Sequence, residues 1–521
     1  MAKAKQRWEI THDREATAMP DILALVMDCG STNITVSAVD SAGRIVGSAT
    51  RANGPEPDES GRPSWFVWDL DRIMERIGEA SREATANLGD AQIVALAVTT
   101  WGADGAPVDG AGQLTHPIVS WQCGRTEDLA ASFASIHDPY EAYRVTGYQV
   151  LPFNTLLKLI WLRRNVPGAL ARAETFMMMP GLISHRLTGE VSIDATSAGT
   201  TMAVDLSRRS WAPELLAHAD VAPDLFPRWV EPGEVIGGLT SAAATELGLP
   251  AGIPVVAAGH DTQFAAVGSG AAPGEAVLSS GTWEILMART ECPALTRELF
   301  DGGLIVELDP VPGLTNPQFL MMGSGALEWV RERLYDDIGD RRAAYRQMIE
   351  EAQSVPPGCE GLTALPQFQA GSGPSKRYGT GGGLLGLDLQ TTRGQIYRAM
   401  LEGLALQLRH ALDILGQLQA SDVGAVRVVG GGSRNALWNQ IRADVCGVPV
   451  ATLEQKEATV MGAAIFAFLG AGVFGSIEEA RSAVTVEASY EPSADSAAYQ
   501  ELYGRYSNLL PSLQDYFGAQ P

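Results

Sequence analysis

The sequence predicts an α/β protein made of two similarly built halves with a cleft between them. Short apolar runs of strand character alternate with longer helical patterns along most of the chain, the order that builds α/β layers. The stretch Leu25-Val26-Met27-Asp28-Cys29-Gly30-Ser31-Thr32-Asn33 has a counterpart in Glu275-Ala276-Val277-Leu278-Ser279-Ser280-Gly281-Thr282-Trp283. Each is an apolar strand, a small-residue turn of Gly then Ser or Thr, and the start of a second strand. Gly30 and Gly281 stand close to half the chain length apart, which suggests paired turns facing one cleft.

In chain order, residues 22–27 are an apolar run entering the first turn, and 34–38 return from it as a second strand. A helical pattern covers 70–88, and 93–98 is another apolar strand. Strand 255–258 runs out through Gly259; 276–278 and 284–288 flank the second turn. In the helix expected over 395–418, Ile396, Met400, Leu404 and Leu408 fall four apart on one face. Strand 426–429 ends in a glycine run, and a helix follows over 435–446. The uncharged stretch 460–475 is shorter than the ~18–20 residues of a spanning helix. It also carries Gly462, Gly470, Gly472 and Gly475, so a buried helix is expected.

At 521 residues, 45% apolar and 19% charged, the chain has the make-up of a globular protein of several domains, not a disordered or fibrous one. Its net charge of −23 opposes binding to a phosphate backbone, so no nucleic-acid partner is expected. The five cysteines are scattered without CxxC spacing, which suggests neither a disulfide framework nor a zinc ribbon. Residues 1–20 are polar and mixed in charge, and read as a disordered tail without a secretory h-region. A cytoplasmic enzyme with no membrane partner fits these features.

Glycine turns bearing hydroxyls can cradle phosphate oxygens, and Asp28 at the head of the first could hold a magnesium ion against them. Either turn alone is also what a plain β-hairpin requires. Gly430-Gly431-Gly432-Ser433-Arg434-Asn435, at a strand-to-helix junction, lets a flat ligand lie on backbone, or is a capped helix start. In Gly259-His260-Asp261-Thr262, Asp261 is a helix N-cap, a general base at a strand's carboxyl end, or both. Trp101-Gly102-Ala103-Asp104 and Trp121-Gln122-Cys123-Gly124-Arg125 each set a tryptophan near a charge at a strand end. Such clusters line sugar pockets and also occur as core tryptophans beside surface charges. Gly381-x-Gly383-x-x-Gly386 has the letters of a dinucleotide fingerprint without its strand–helix context, and no GxxxxGK[ST] is present.

Together these residues resemble the FGGY carbohydrate kinases over about 22–482. Gly382-Gly383-Leu384-Leu385-Gly386-Leu387 through Gln395-Ile396-Tyr397-Arg398-Ala399-Met400-Leu401-Glu402-Gly403 fits that family's C-terminal signature. The resemblance implies two actin-like, ribonuclease-H-like domains with an inter-domain cleft, at 21–268 (sugar and phosphate) and 269–490 (nucleotide), then a C-terminal helical tail at 491–521. It implies ATP and Mg2+, with a ketose as the substrate and room for a homodimer. Asp28 would lie near the metal. Gly30, Ser31, Thr32 and Asn33 would form the first phosphate loop, and Gly281 and Thr282 the second. Gly430, Gly431, Gly432 and Asn435 would form the adenosine loop. Asp261 would be the catalytic base, with Trp101, Gly102, Asp104, Arg125 and His260 touching sugar. The segments around Trp101, Asp261 and Gly281, with Cys123, are similar to the branch acting on the 1-hydroxyl of L-fuculose, and next to the L-rhamnulose branch. Xylulose or ribulose as substrate, or an actin-like ATP-binding module without kinase activity, are the alternatives. Thr35 stands where the family pattern has Arg or Lys.

Overall fold

The computed structural model describes residues 22–272, 274–368, 373–418, 423–481 and 484–518; the expected tail at 1–20 lies outside them. A first sheet contains β1 (Ile22–Cys29), β2 (Asn33–Asp40), β3 (Ile45–Ala52), β4 (Gln92–Thr100), β5 (Val235–Gly238) and β6 (Pro254–Val256). A second contains β7 (Glu275–Ser280), β8 (Trp283–Met287), β9 (Ile305–Leu308), β10 (Thr315–Met322), β11 (Ala425–Val429), β12 (Val450–Leu453) and β13 (Val486–Tyr490). The first runs β3-β2-β1-β4-β6-β5 and the second β9-β10-β8-β7-β11-β12-β13. Without the extra edge strand β9 the two orders correspond one to one. In each, two antiparallel pairings are followed by two parallel ones and a final antiparallel edge. The repeated turn motif thus opens the same hairpin in two copies of one sheet plan.

Helix α1 (Leu70–Thr85) starts where the Asp69 carboxylate accepts the Arg72 N–H at 3.1 Å, and it ends before the expected residue 88. It buries Ile73, Met74 and Ile77 against Ile34 and Val36. Further along lie α2 (Thr155–Asn165), α3 (Asp261–Gly268), α4 (Arg393–Gly416), α5 (Ala436–Cys446), α6 (Ala458–Gly470) and α7 (Ser496–Gly518). A capping box between Thr392 and Gln395 starts α4 two residues earlier than its apolar pattern suggests.

Helices α3 and α6 lie between the lobes. Phe264 and Val267 of α3 pack with Val26 and Ala97 of the first sheet, while Ala265 and Ala266 pack with Val277 and Met287 of the second. Although α6 follows the second sheet's β12, its Val460, Ala463 and Ala467 join the first lobe's core. The two helices meet backbone to backbone. A Cβ on Gly268 would lie 1.9 Å from Ala458 O, and one on Gly462 1.9 Å from Phe264 O. The stretch expected to be a buried helix is therefore one, and no described helix is long and apolar enough to cross a membrane. The expected C-terminal tail is not detached: Tyr499, Tyr506 and Leu510 of α7 are buried with Tyr397 and Leu401 of α4.

Candidate active site

Because β4 pairs in parallel with both β1 and β6, their carboxyl ends lie side by side. Open α/β sheets present ligands at that edge. Asp28 is in register with Thr99, whose hydroxyl donates to Asp28 Oδ1 at 3.1 Å. Beyond β6 the Thr100 N–H donates to Gly259 O at 3.0 Å, which sets His260 and Asp261 beside the same edge. Glycine is required at 259, where a Cβ would lie 1.9 Å from Asp194 Oδ1.

Asp261 is the first residue of α3. Its Oδ1 accepts the Thr262 N–H at 2.6 Å and the Thr262 hydroxyl at 3.2 Å, and faces His260 Nε2 at 3.3 Å. Its Oδ2 accepts no hydrogen bond from the described residues. Burial raises the Asp261 pKa above the usual aspartate range, against the pull of His260 and Thr262. Asp28 is pushed up to about 7, first by burial and then by the Asp261 charge. His260 is raised to about 9: burial would depress it, but Glu307, Asp261 and Asp194 outweigh burial. These neighbours favour the doubly protonated His260 ring beside the Asp261 carboxyl group.

Ser31, Thr32 and Asn33 are partly or fully exposed at the end of β1, and Asn53 braces their loop by donating Nδ2 to Gly30 O at 2.8 Å. In the second lobe, protein packing does not explain two of the glycines. A Cβ on Gly281 would meet only Trp283 O at 3.5 Å, and one on Gly431 nothing within 4 Å; neither has positive φ. Glycine there leaves room for a ligand to approach the turn closely, although the Gly281 N–H itself donates to Trp283 O at 2.9 Å. Gly430 and Gly432 are needed by the fold, since Cβ atoms on them would lie 2.9 Å from Ser280 O and 2.0 Å from Ser280 Oγ. Ser280 thereby locks the Gly281–Thr282 turn to the third loop. Beneath it the buried Arg442 pairs with Glu284 and donates to Ser280 Oγ at 2.8 Å. Asn435 caps α5. Its Oδ1 accepts the Trp438 N–H and its Nδ2 donates to Tyr397 Oη, both at 3.2 Å.

Asp104 is 0% exposed. Its Oδ2 accepts Trp68 Nε1 and Trp101 Nε1, each at 2.7 Å, and the Trp121 N–H at 3.0 Å, while Oδ1 pairs with the buried Lys158 of α2. The Arg125 guanidinium lies 4.6 Å from the Trp65 ring and 4.9 Å from the Trp161 ring, with Nη2 on Asp58 Oδ2 at 2.9 Å. Both charges and the Trp101 ring are buried and held by protein partners. The aromatic that faces out is Trp121, 38% exposed and edge-on to Phe153. Gly102 admits His260: a Cβ there would lie 3.1 Å from its Nε2.

Residues 23–268 match the N-terminal domain of the FGGY family of carbohydrate kinases, and 276–471 match its C-terminal domain. The chain belongs to the FGGY family. This carbohydrate kinase is 41% identical over 472 residues to L-fuculokinase from Salmonella typhi, covering 91% of this chain and 97% of the relative. It is 31% identical to rhamnulokinase from Bacteroides thetaiotaomicron, covering 85% and 90%. Among solved structures it is similar to xylulose kinase from Rhodospirillum rubrum, at 26% identity and a TM-score of 0.84, covering 95% of this chain and 100% of that one. At the departure from the family pattern, the carbohydrate kinase has the Thr35 hydroxyl 3.0 Å from that of Thr50; the neighbouring Arg51 is tied to Glu79 and Glu83.

Proposed function

We propose that the protein transfers the γ-phosphoryl group of ATP to the 1-hydroxyl of L-fuculose, as a cytoplasmic enzyme. The observation that carries this reading is Asp261: one carboxylate oxygen is pinned, the other is open, and the helix it starts is wedged between the two sheets. A carboxylate at a helix N-terminus is favoured in its ionised form, and a neighbouring imidazolium adds to that. Asp261 accepts the proton of the attacking hydroxyl through Oδ2, late in a loose transition state. The loops at Gly30 and Gly281 hold phosphate oxygens on the hydroxyls of Ser31, Thr32 and Thr282, while Gly431 offers backbone to the adenosine. Trp121 and Phe153 give the sugar an apolar face.

Asp28 has one side-chain donor, Thr99, and an acidic neighbour, so it is short of a counter-charge. That suits magnesium, which takes one or two carboxylates together with substrate phosphates. When bound with the nucleotide, the ion supplies charge neutralisation across the phosphate oxygens.

The identity of 41% to an L-fuculokinase against 31% to a rhamnulokinase supports L-fuculose over L-rhamnulose. A coupled ADP-release assay over L-fuculose, L-rhamnulose, xylulose and ribulose tests the choice. The highest kcat/KM is expected for L-fuculose, and a clear preference for another ketose replaces it. Asp261→Asn is expected to keep ATP binding and lose about 10²-fold or more in kcat. Near-normal kcat removes Asp261 from its role.

A further inference from the structure

We infer that Glu307 on β9 is a positioning residue for the phosphoryl transfer: it holds the His260 ring so that Nε2 faces Asp261 Oδ1 and Oδ2 is left for the sugar hydroxyl. The inference rests on Asp261 being the base. Glu307 is a carboxylate in a strand whose four residues are all buried, and is itself 1% exposed. Such a group is costly unless it has partners, and its partners lead to the site. Oε2 faces His260 Nδ1 at 3.1 Å and accepts Gln263 Nε2 at 2.5 Å, and the Tyr148 hydroxyl also donates to the carboxylate.

The backbone on both sides of Glu307 is pinned. The Val306 N–H donates to Gly147 O at 2.8 Å, and Gly199 lets its helix close on Leu308, where a Cβ would lie 3.2 Å from Leu308 N. The His260 N–H in turn donates to Thr196 Oγ1 at 2.8 Å. The ring is thus held through its backbone and through Nδ1, with Nε2 directed at the Asp261 carboxylate.

The charged groups around this ring are Glu307 from β9, Asp261 from α3 and Asp194 at the start of the helix Ala195–Gly199. Behind them, Tyr148 touches Glu307, and Asp28 repels Asp261. All three carboxylates favour the doubly protonated ring, and Glu307 contributes most. His260 is in turn the largest influence opposing the burial of the Asp261 charge. Replacing Glu307 by a neutral isostere therefore reaches Asp261 through the ring.

The test is Glu307→Gln, followed by kcat/KM against pH and by 15N NMR of the His260 ring, assigned with His260→Gln. Expected are a loss of about tenfold or more in kcat near neutral pH, a KM for ATP within about twofold, and an acid limb moved to higher pH. The ring signal is expected to turn from doubly protonated to neutral near neutral pH. Glu307→Asp keeps the charge on a shorter arm and is expected to lower kcat while the ring stays protonated. A Gln variant with the wild-type acid limb and a doubly protonated ring overturns the inference, even if it is less stable, because Glu307 is then only a strut. Wild-type kcat in the Asp variant overturns it too. Asp261→Asn separates the two readings: full turnover there sinks the base itself, whereas an inactive Asp261→Asn beside an unaltered Glu307→Gln sinks only the role of Glu307.

Discussion

Replacing Asp104 with asparagine distinguishes a buried hub from a sugar ligand. Asp104 and Lys158 are 0% and 2% exposed, and Oδ2 of Asp104 serves three N–H donors. Asparagine has one oxygen for both tasks. If that oxygen stays with the indoles, Lys158 faces an amide NH2 and keeps a buried, unpaired charge, a loss of about 3–5 kcal/mol. If it turns to Lys158, three donors lose their acceptor at about 1–3 kcal/mol each. Either arrangement predicts at least about 3 kcal/mol of destabilisation. Burial already pulls the Lys158 pKa below the lysine range, with Asp104 opposing. Urea unfolding followed by tryptophan fluorescence reads the loss. Asp104→Asn combined with Lys158→Met should recover part of it, because the orphaned charge goes too. The reasoning fails if Asp104→Asn unfolds like the wild type and only the KM for sugar rises, for then the carboxylate contacts substrate.

Trp121→Ala should raise the sugar KM about tenfold with little change in unfolding, since the ring is large, amphipathic and partly exposed; an unchanged KM removes it from the pocket. Gly281→Ala and Gly431→Ala should fold normally yet bind ATP more weakly, whereas Gly432→Ala should lower stability because its Cβ meets Ser280; calorimetric titration and melting curves separate the two classes. His260 has a folded pKa of about 9 against 6.5. Its contribution to stability is therefore complete below about 6.5 and lost as pH rises through about 9, a loss of at most about 3 kcal/mol. His260→Gln should flatten that part of the stability–pH curve.

The elements whose signal is local were legible in the sequence. The fourfold spacing of Ile396, Met400, Leu404 and Leu408 marks α4, and the paired Gly–hydroxyl turns mark two like sheets. Asp28 and Asp261 could be singled out because each stands at a strand end beside glycine. What escaped depends on partners far along the chain. Glu307 sits in Ile-Val-Glu-Leu, where one carboxylate says nothing about a histidine 47 positions away. Trp101 and Trp121 occupy similar motifs, and only the fold decides that Asp104 pins one ring inward while the other faces out. Helix α1 stops at Thr85 although the helical pattern runs on toward the turn at Gly89.

The glycine contact between α3 and α6 bears on how the chain matures. Ala24, Val26, Ala95 and Ala97 are covered by a helix that the ribosome makes some 430 residues after the first strand. A fragment ending at Gly268 would present that greasy alanine–valine surface to water, and the remaining piece would carry α6 without its berth. Severing the chain between its two family segments is therefore expected to give insoluble products separately and activity only when both are co-expressed.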